Sequence, residues 1–211
     1  TMQHELTQYI TPSGMSTSES WPPAFFMNDA AFMKAVFLPF CGQERSPRLC
    51  GRASGAHLKR CEDVRLVSVK QYPVLNRDLL LTAAMFHDIG KTKELSAFPE
   101  NDYTDEGQLL GHIIIGVQML EERIAAMPGF PKKLEHELIH CILAHHGELE
   151  YGSPKKPALI EALALNLADN ADAKLETMTE ILKGAGDNMG WLGYNRFMES
   201  NVRRTSDGQE K

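Results

Sequence analysis

The sequence predicts an all-α protein, and three observations carry that prediction. Apolar residues recur at three- and four-residue intervals through most of the chain after Tyr72. Asn, Pro and Gly stand where those periodic segments begin and end. No segment alternates at period two for long enough to be a strand. With 43% hydrophobic and 24% charged residues, a chain of 211 residues has the material for a packed core.

Taken in order, residues 1–23 are polar and broken by Pro12, Gly14, Pro22 and Pro23, a lead-in. NDAAFMKAVFL at 28–38 predicts a short amphipathic helix capped by Asn28 or Asp29. From Cys41 to about Arg65 the chain is rich in arginine and cysteine and has no clean period. Asn76 then opens NRDLLLTAAMFHDIGK, an apolar helix expected to end at Gly90. A long helix is expected from about Thr104 to Met127, stopped by Pro128 and Gly129. A third starts at Pro131 and runs to about His146, and a fourth runs from Pro157 to about Lys183. The expected organisation is a lead-in with a short helix at 1–40, an irregular segment at 41–70, a helical core at 71–186 and a charged tail at 187–211.

The formal charge of −6 argues against a module that grips nucleic-acid phosphates with a broad basic face. It leaves open an enzyme that grips them through a metal. No apolar run reaches the ~18 residues of a membrane span. The opening TMQHELTQYI lacks the features of a signal peptide. The four cysteines show no CxxC pairing, so a reducing cytoplasm is the expected compartment.

The polar residues on apolar stripes point to chemistry. His145 falls on one face with Leu134, Leu138, Cys141 and Ile142, and His146 lies at its edge. His136 and His140 fall on the opposite, solvated face. His112 shares a stripe with Ile113, Gly116 and Leu120. Asn166 and Asn170 line the apolar face of the last helix, with Asp169 on its flank. His87 and Asp88 close the helix LLLTAAMFHD. A single inward histidine is usually a core residue bonded to a carbonyl. Imidazoles and carboxylates from four helices are better explained by a shared divalent cation, which supplies the charge that buried acids need.

HDIGK at 87–91 and the segments GHIIIG, ILAHHGELEYGSPKKP and LADNADAK resemble the HD-domain metal-dependent phosphohydrolases. The resemblance is closest to their YhaM-type 3′–5′ exoribonuclease branch and covers about residues 72–183. It implies a helical HD-domain bundle with a metal site in its core, holding one or two ions of Mn, Co or Fe. His87, Asp88 and Asp169 would hold one ion; His112, His145 and His146 match positions that bind a second. Asp88 and Lys91 would be the catalytic residues, with Lys91 approaching a substrate phosphate; the alternative for Lys91 is a solvated lysine. Tyr151, Lys155 and Lys156 would touch nucleotide from the loop after the His pair, or simply belong to a polar loop. The implied reaction is hydrolysis of a phosphodiester in single-stranded RNA or a nucleotide by metal-activated water.

The chain departs from that family in two places. The family carries its first ligand in a helix resembling HHAYxGGLLEHT, where this chain has RSPRLCGRASGAHLKRCEDVRL. Codons for residues 45–66, read one base later, can encode AHHAYVGGLLEHTLSVVKMCDL, so residues 40–67 read as an out-of-frame translation between in-frame flanks. The missing ligand falls where Ala56 and His57 overlap. His57 is therefore the one candidate to replace it, the alternative being a surface histidine in an arginine-rich loop. The family also places a nucleic-acid-binding barrel ahead of its HD domain, and the first 70 residues hold too little strand-forming sequence for one. Two other functions stay open: hydrolysis of mononucleotides or small phosphate esters, and a catalytically weak helical domain that binds metal.

Overall fold

A computed structural model describes residues 72–96, 100, 102–188 and 190–206. The helix expected at 28–38, the irregular segment at 41–70 and His57 lie outside the described residues. The elements run α1 (Arg77–Phe86), α2 (Lys91–Glu94), α3 (Asp105–Ala125), α4 (Lys132–Ala144), a 3₁₀ turn (Leu149–Tyr151), α5 (Ile160–Gly184), β1 (Trp191–Asn195) and β2 (Ser200–Arg203). The described residues up to Ala168 belong to one compact unit, and those from Asp169 onward to a second.

In the first unit α1 is the central helix. Every residue from Leu79 to Phe86 is buried, as expected for a helix apolar on all sides. The buried hydroxyl of Thr82 is satisfied by donating to the Asp78 carbonyl at 2.7 Å. Asn76 caps the helix as the sequence predicts, its side chain accepting from the Leu79 N–H at 3.2 Å. The Asn76 N–H in turn donates to Glu161 of α5 at 2.6 Å, which gives that buried carboxylate a partner at a helix N-terminus. Leu80 and Phe86 of α1, Leu120 of α3, Leu138 and Ile142 of α4 and Leu165 of α5 join one apolar core.

Gly90 has a different role from the one expected. Helix α1 ends at Phe86, His87 is its cap, and Gly90 keeps right-handed helical angles ahead of α2. A Cβ there would lie 1.9 Å from the His112 carbonyl oxygen and 2.7 Å from the Gly116 nitrogen. The residue is small because two backbones touch, not because a helix stops.

His140 is also placed differently. Its flank of α4 is half-buried, and its Nε2 accepts the Ala158 N–H at 2.9 Å, while His136 is exposed as expected. Burial, and then the charge of Lys155, pull the His140 pKa below its ordinary value. A His depressed in the folded state adds stability above the ordinary value of ~6.5 and loses it as pH falls through the lower folded value. Protection of the Ala158 amide against hydrogen exchange is therefore expected to fall below about pH 6.5 while that of the α1 core holds. A protection factor independent of pH would refute this.

The second unit contains the rest of α5 and an antiparallel hairpin pairing Trp191 with Arg203 and Asn195 with Ser200. The sequence reading has no strand here. Only Val202 of the two strands is buried, so no alternation of apolar and polar residues marks them. The turn is set by Asn195, whose side chain accepts from the backbone N–H groups of Phe197 and Met198. No helix among the described residues is long and apolar enough to cross a membrane.

Candidate metal centre

The site forms where the turn after α1 meets α3 and the end of α4. Asp88 is its hub: the residue is 8% exposed, and its carboxylate faces three imidazoles and one ammonium. Its Oδ2 lies 2.8 Å from Lys91 Nζ and 3.4 Å from His87 Nε2. Its Oδ1 lies 3.6 Å from His112 Nε2 and 3.8 Å from His145 Nε2. Those last two contacts are too long for good hydrogen bonds.

The ring tautomers follow from what the other nitrogens do. His87 Nδ1 sits 3.0 Å from the Ala84 carbonyl, His145 Nδ1 2.7 Å from the Ile142 carbonyl, and His146 Nδ1 2.9 Å from the Tyr151 carbonyl. His112 Nδ1 is 3.2 Å from the Glu94 carboxylate. A carbonyl or carboxylate only accepts, so each Nδ1 donates and each neutral ring keeps its lone pair on Nε2. Four Nε2 lone pairs are thereby available in one region. His112, His145 and His146 each offer an atom within 4.8 Å of the others. The rings pack edge to face, the His145 and His146 centroids 4.3 Å apart and those of His87 and His145 5.1 Å apart.

The electrostatics favour that state. Burial disfavours the Asp88 charge, but the positive charge His87 carries when protonated, and the Lys91 ammonium 2.8 Å away, outweigh it and hold the carboxyl well below its usual range. Burial, followed by the neighbouring His87, pulls His145 down to about 3. Burial likewise lowers His112, against the opposing pull of Asp88 and Glu94. Ionised carboxylate and neutral imidazole are the forms a divalent ion needs. The buried Nε2 atoms of His112 and His145 have no hydrogen-bond partner, which is costly for polar atoms in a protein interior. A cation among them would remove that cost. The donor set therefore fits a metal.

The other expected residues are placed as follows. Lys91 pairs with Asp88 and is half-buried, so it is not the plain solvated lysine of the alternative reading. The Tyr151 ring is 70% exposed, while its backbone carbonyl holds His146. Lys155 and Lys156 are exposed, and Lys156 forms an ion pair with Glu148. Asp169 lies on α5, in the second compact unit, three positions after Asn166. Asn166 has the partner its apolar stripe requires, donating to the His145 carbonyl at 2.8 Å. Glu94 is the residue that sequence reasoning does not single out. Its only signal was an acid placed three residues beyond Lys91, indistinguishable there from a surface glutamate.

Residues 56–174 match the family model described as HD domain. The chain is 46% identical over 114 residues to the 3′-5′ exoribonuclease YhaM of Bacillus subtilis (strain 168), covering 53% of this chain and 35% of that protein. It is 44% identical over 117 residues to the protein of the same name from Shouchella clausii (strain KSM-K16), covering 54% of this chain and 36% of that one. The chain thus spans about a third of the length of these curated relatives. No solved structure matches it.

Proposed function

The chain belongs to the HD-domain family, and from that premise we propose that it is a metal-dependent phosphodiester hydrolase acting on single-stranded RNA from its 3′ end. The observation that carries this reading is the gathering of His87, His112 and His145 around the ionised carboxylate of Asp88, with His146 offering a ligand atom within 4.8 Å of those of His112 and His145. Two relatives named as 3′-5′ exoribonucleases support the choice of substrate. In this reading His87 and Asp88 hold one ion of Mn, Co or Fe, and His112, His145 and His146 hold a second. The cellular compartment is the cytoplasm.

When bound, such an ion acts as a Lewis acid that lowers the pKa of water and offsets charge on phosphoryl oxygens. The protein's own groups prepare that chemistry. Three backbone carbonyls and Glu94 fix the tautomers, so that every ring presents a lone pair inward. The Lys91 ammonium neutralises Asp88 while no other cation is present. From its place beside Asp88 the Lys91 ammonium could meet a substrate phosphate and stabilise developing negative charge there. Tyr151 is exposed and offers a ring for base stacking, and the exposed Lys155 and Lys156 of the same loop can meet phosphates.

The test is the metal content of the protein as isolated, with its activity on single-stranded RNA and on a 3′-blocked copy. Bound metal, turnover of the open strand and resistance of the blocked one are expected. Faster turnover of mononucleotides would move the assignment to a small-ester hydrolase, and absence of metal would sink it.

One observation favours a weakened enzyme: the family match begins at residue 56, inside the segment that reads as out of frame. Replacing residues 45–66 with AHHAYVGGLLEHTLSVVKMCDL is expected to tighten metal binding by on the order of tenfold or more, since even an outer-shell partner is worth about that much. Equal affinity in both proteins would show that the altered segment costs nothing. A gene whose codons cannot yield that string would remove the frameshift reading altogether.

A further inference from the structure

We propose, resting on the metal-centre reading, that Glu94 is a positioning residue that aims His112 Nε2 at the metal site. The reason begins in the backbone of α3. Gly111 breaks that helix with φ 72° and ψ 157°, angles open to glycine, so His112 begins a new helical segment. The first N–H groups of a helix have no partner within it. The His112 N–H is one of these, and it donates to Glu94 Oε1 at 3.0 Å. The same oxygen receives the His112 ring Nδ1–H at 3.2 Å. One carboxylate oxygen thus holds both the backbone and the ring of a single residue. Two points of attachment fix its direction as well as its distance.

Glu94 is itself held in place. It is 7% exposed at the end of α2, and its carbonyl accepts from the Thr104 N–H at 2.9 Å and the Thr104 hydroxyl at 3.2 Å. Gly107 passes so close that a Cβ there would lie 2.2 Å from the Glu94 carbonyl oxygen. The start of α3 is therefore pinned to the backbone of the residue that carries the carboxylate. The consequence is at the other side of the ring. With Nδ1 spent on Glu94, the lone pair stays on Nε2, the buried atom that has no hydrogen-bond partner and faces Asp88 Oδ1. Outer-shell carboxylates that orient a ligating histidine are typically worth ~10–100-fold in metal affinity.

The test uses two conservative variants of the full chain, Glu94→Gln and Glu94→Asp. The amide of glutamine keeps an oxygen at the same reach, whereas aspartate keeps the charge but withdraws its oxygen by about one methylene, ~1.5 Å. Ring-nitrogen NMR of the metal-free proteins reads the His112 tautomer, and Mn titration reads affinity. The expected result is a wild-type tautomer and affinity within about threefold for Glu94→Gln. Glu94→Asp should show a mixed tautomer and ~10–100-fold weaker Mn binding. A merely charge-balancing Glu94 would give the reverse order. Equal weakening in both variants, or in neither, also overturns the proposal. Wild-type protein that binds no divalent ion would sink the metal-centre reading instead, and the NMR comparison would still decide whether Glu94 sets the His112 ring.

Discussion

Asp88→Asn is expected to abolish divalent-metal binding and to lower phosphodiesterase activity by about a thousandfold, ~4 kcal/mol of transition-state stabilisation, while the fold survives. The substitution preserves shape and removes the charge. An amide is a poor ligand for a hard or borderline cation, and His87, His112 and His145 would face a neutral group where they now face a carboxylate. The fold should tolerate the change because the only full cation left without its partner is Lys91, which is half-buried and can turn to water. Calorimetry checks the binding. Thermal melts with and without Mn check the rest: the wild type should gain ~2.7 kcal/mol at a hundredfold excess of metal over its Kd, and the variant nothing. A variant that still gains stability from Mn would move the site away from Asp88.

Gly90→Ala is expected to have the largest effect on stability. The added methyl would meet the His112 carbonyl at 1.9 Å and the Gly116 nitrogen at 2.7 Å, both backbone atoms of α3. No rotamer change relieves a clash with backbone, so the turn after α1 and helix α3 must separate. Overpacking of this kind costs typically 1–3 kcal/mol and more where nothing can shift, so a loss of about 3 kcal/mol or more is expected. At ~2–4 °C per kcal/mol for a chain of this size, the melting temperature should fall by ~6–12 °C. Because the displaced backbone carries His112, metal affinity should fall in the same variant. Gly184→Ala is the control: nothing lies within 4 Å of a Cβ there, and its effect should be near zero. Equal melting temperatures for the two variants would refute the close approach.

Much of this protein was legible in its residues. Asn76 announced the start of α1, and Thr104 that of α3, because a cap is a local bond between a side chain and an N–H two or three residues on. The apolar stripes gave the helices and marked His112 and His145 as inward-facing, since a helix returns to the same face every three or four residues. HDIGK and HHGELEYGSP were specific enough to suggest a family, and the family model matches residues 56–174. The short hairpin was not legible, because its strands bury almost nothing and so leave no alternation.

What the residues alone determined was thus which elements form and which side chains turn inward, both matters of neighbours within a few positions. Only the tertiary structure decided that Gly90 is a contact rather than a stop, and that His140 accepts a bond from Ala158. It alone joined Glu94 to His112 across eighteen positions and Asn166 to the His145 carbonyl across twenty-one. The physical reason is that a tautomer, a lone pair's direction and a close approach of backbones depend on partners brought together by packing, and periodicity along one helix carries no record of what stands opposite it.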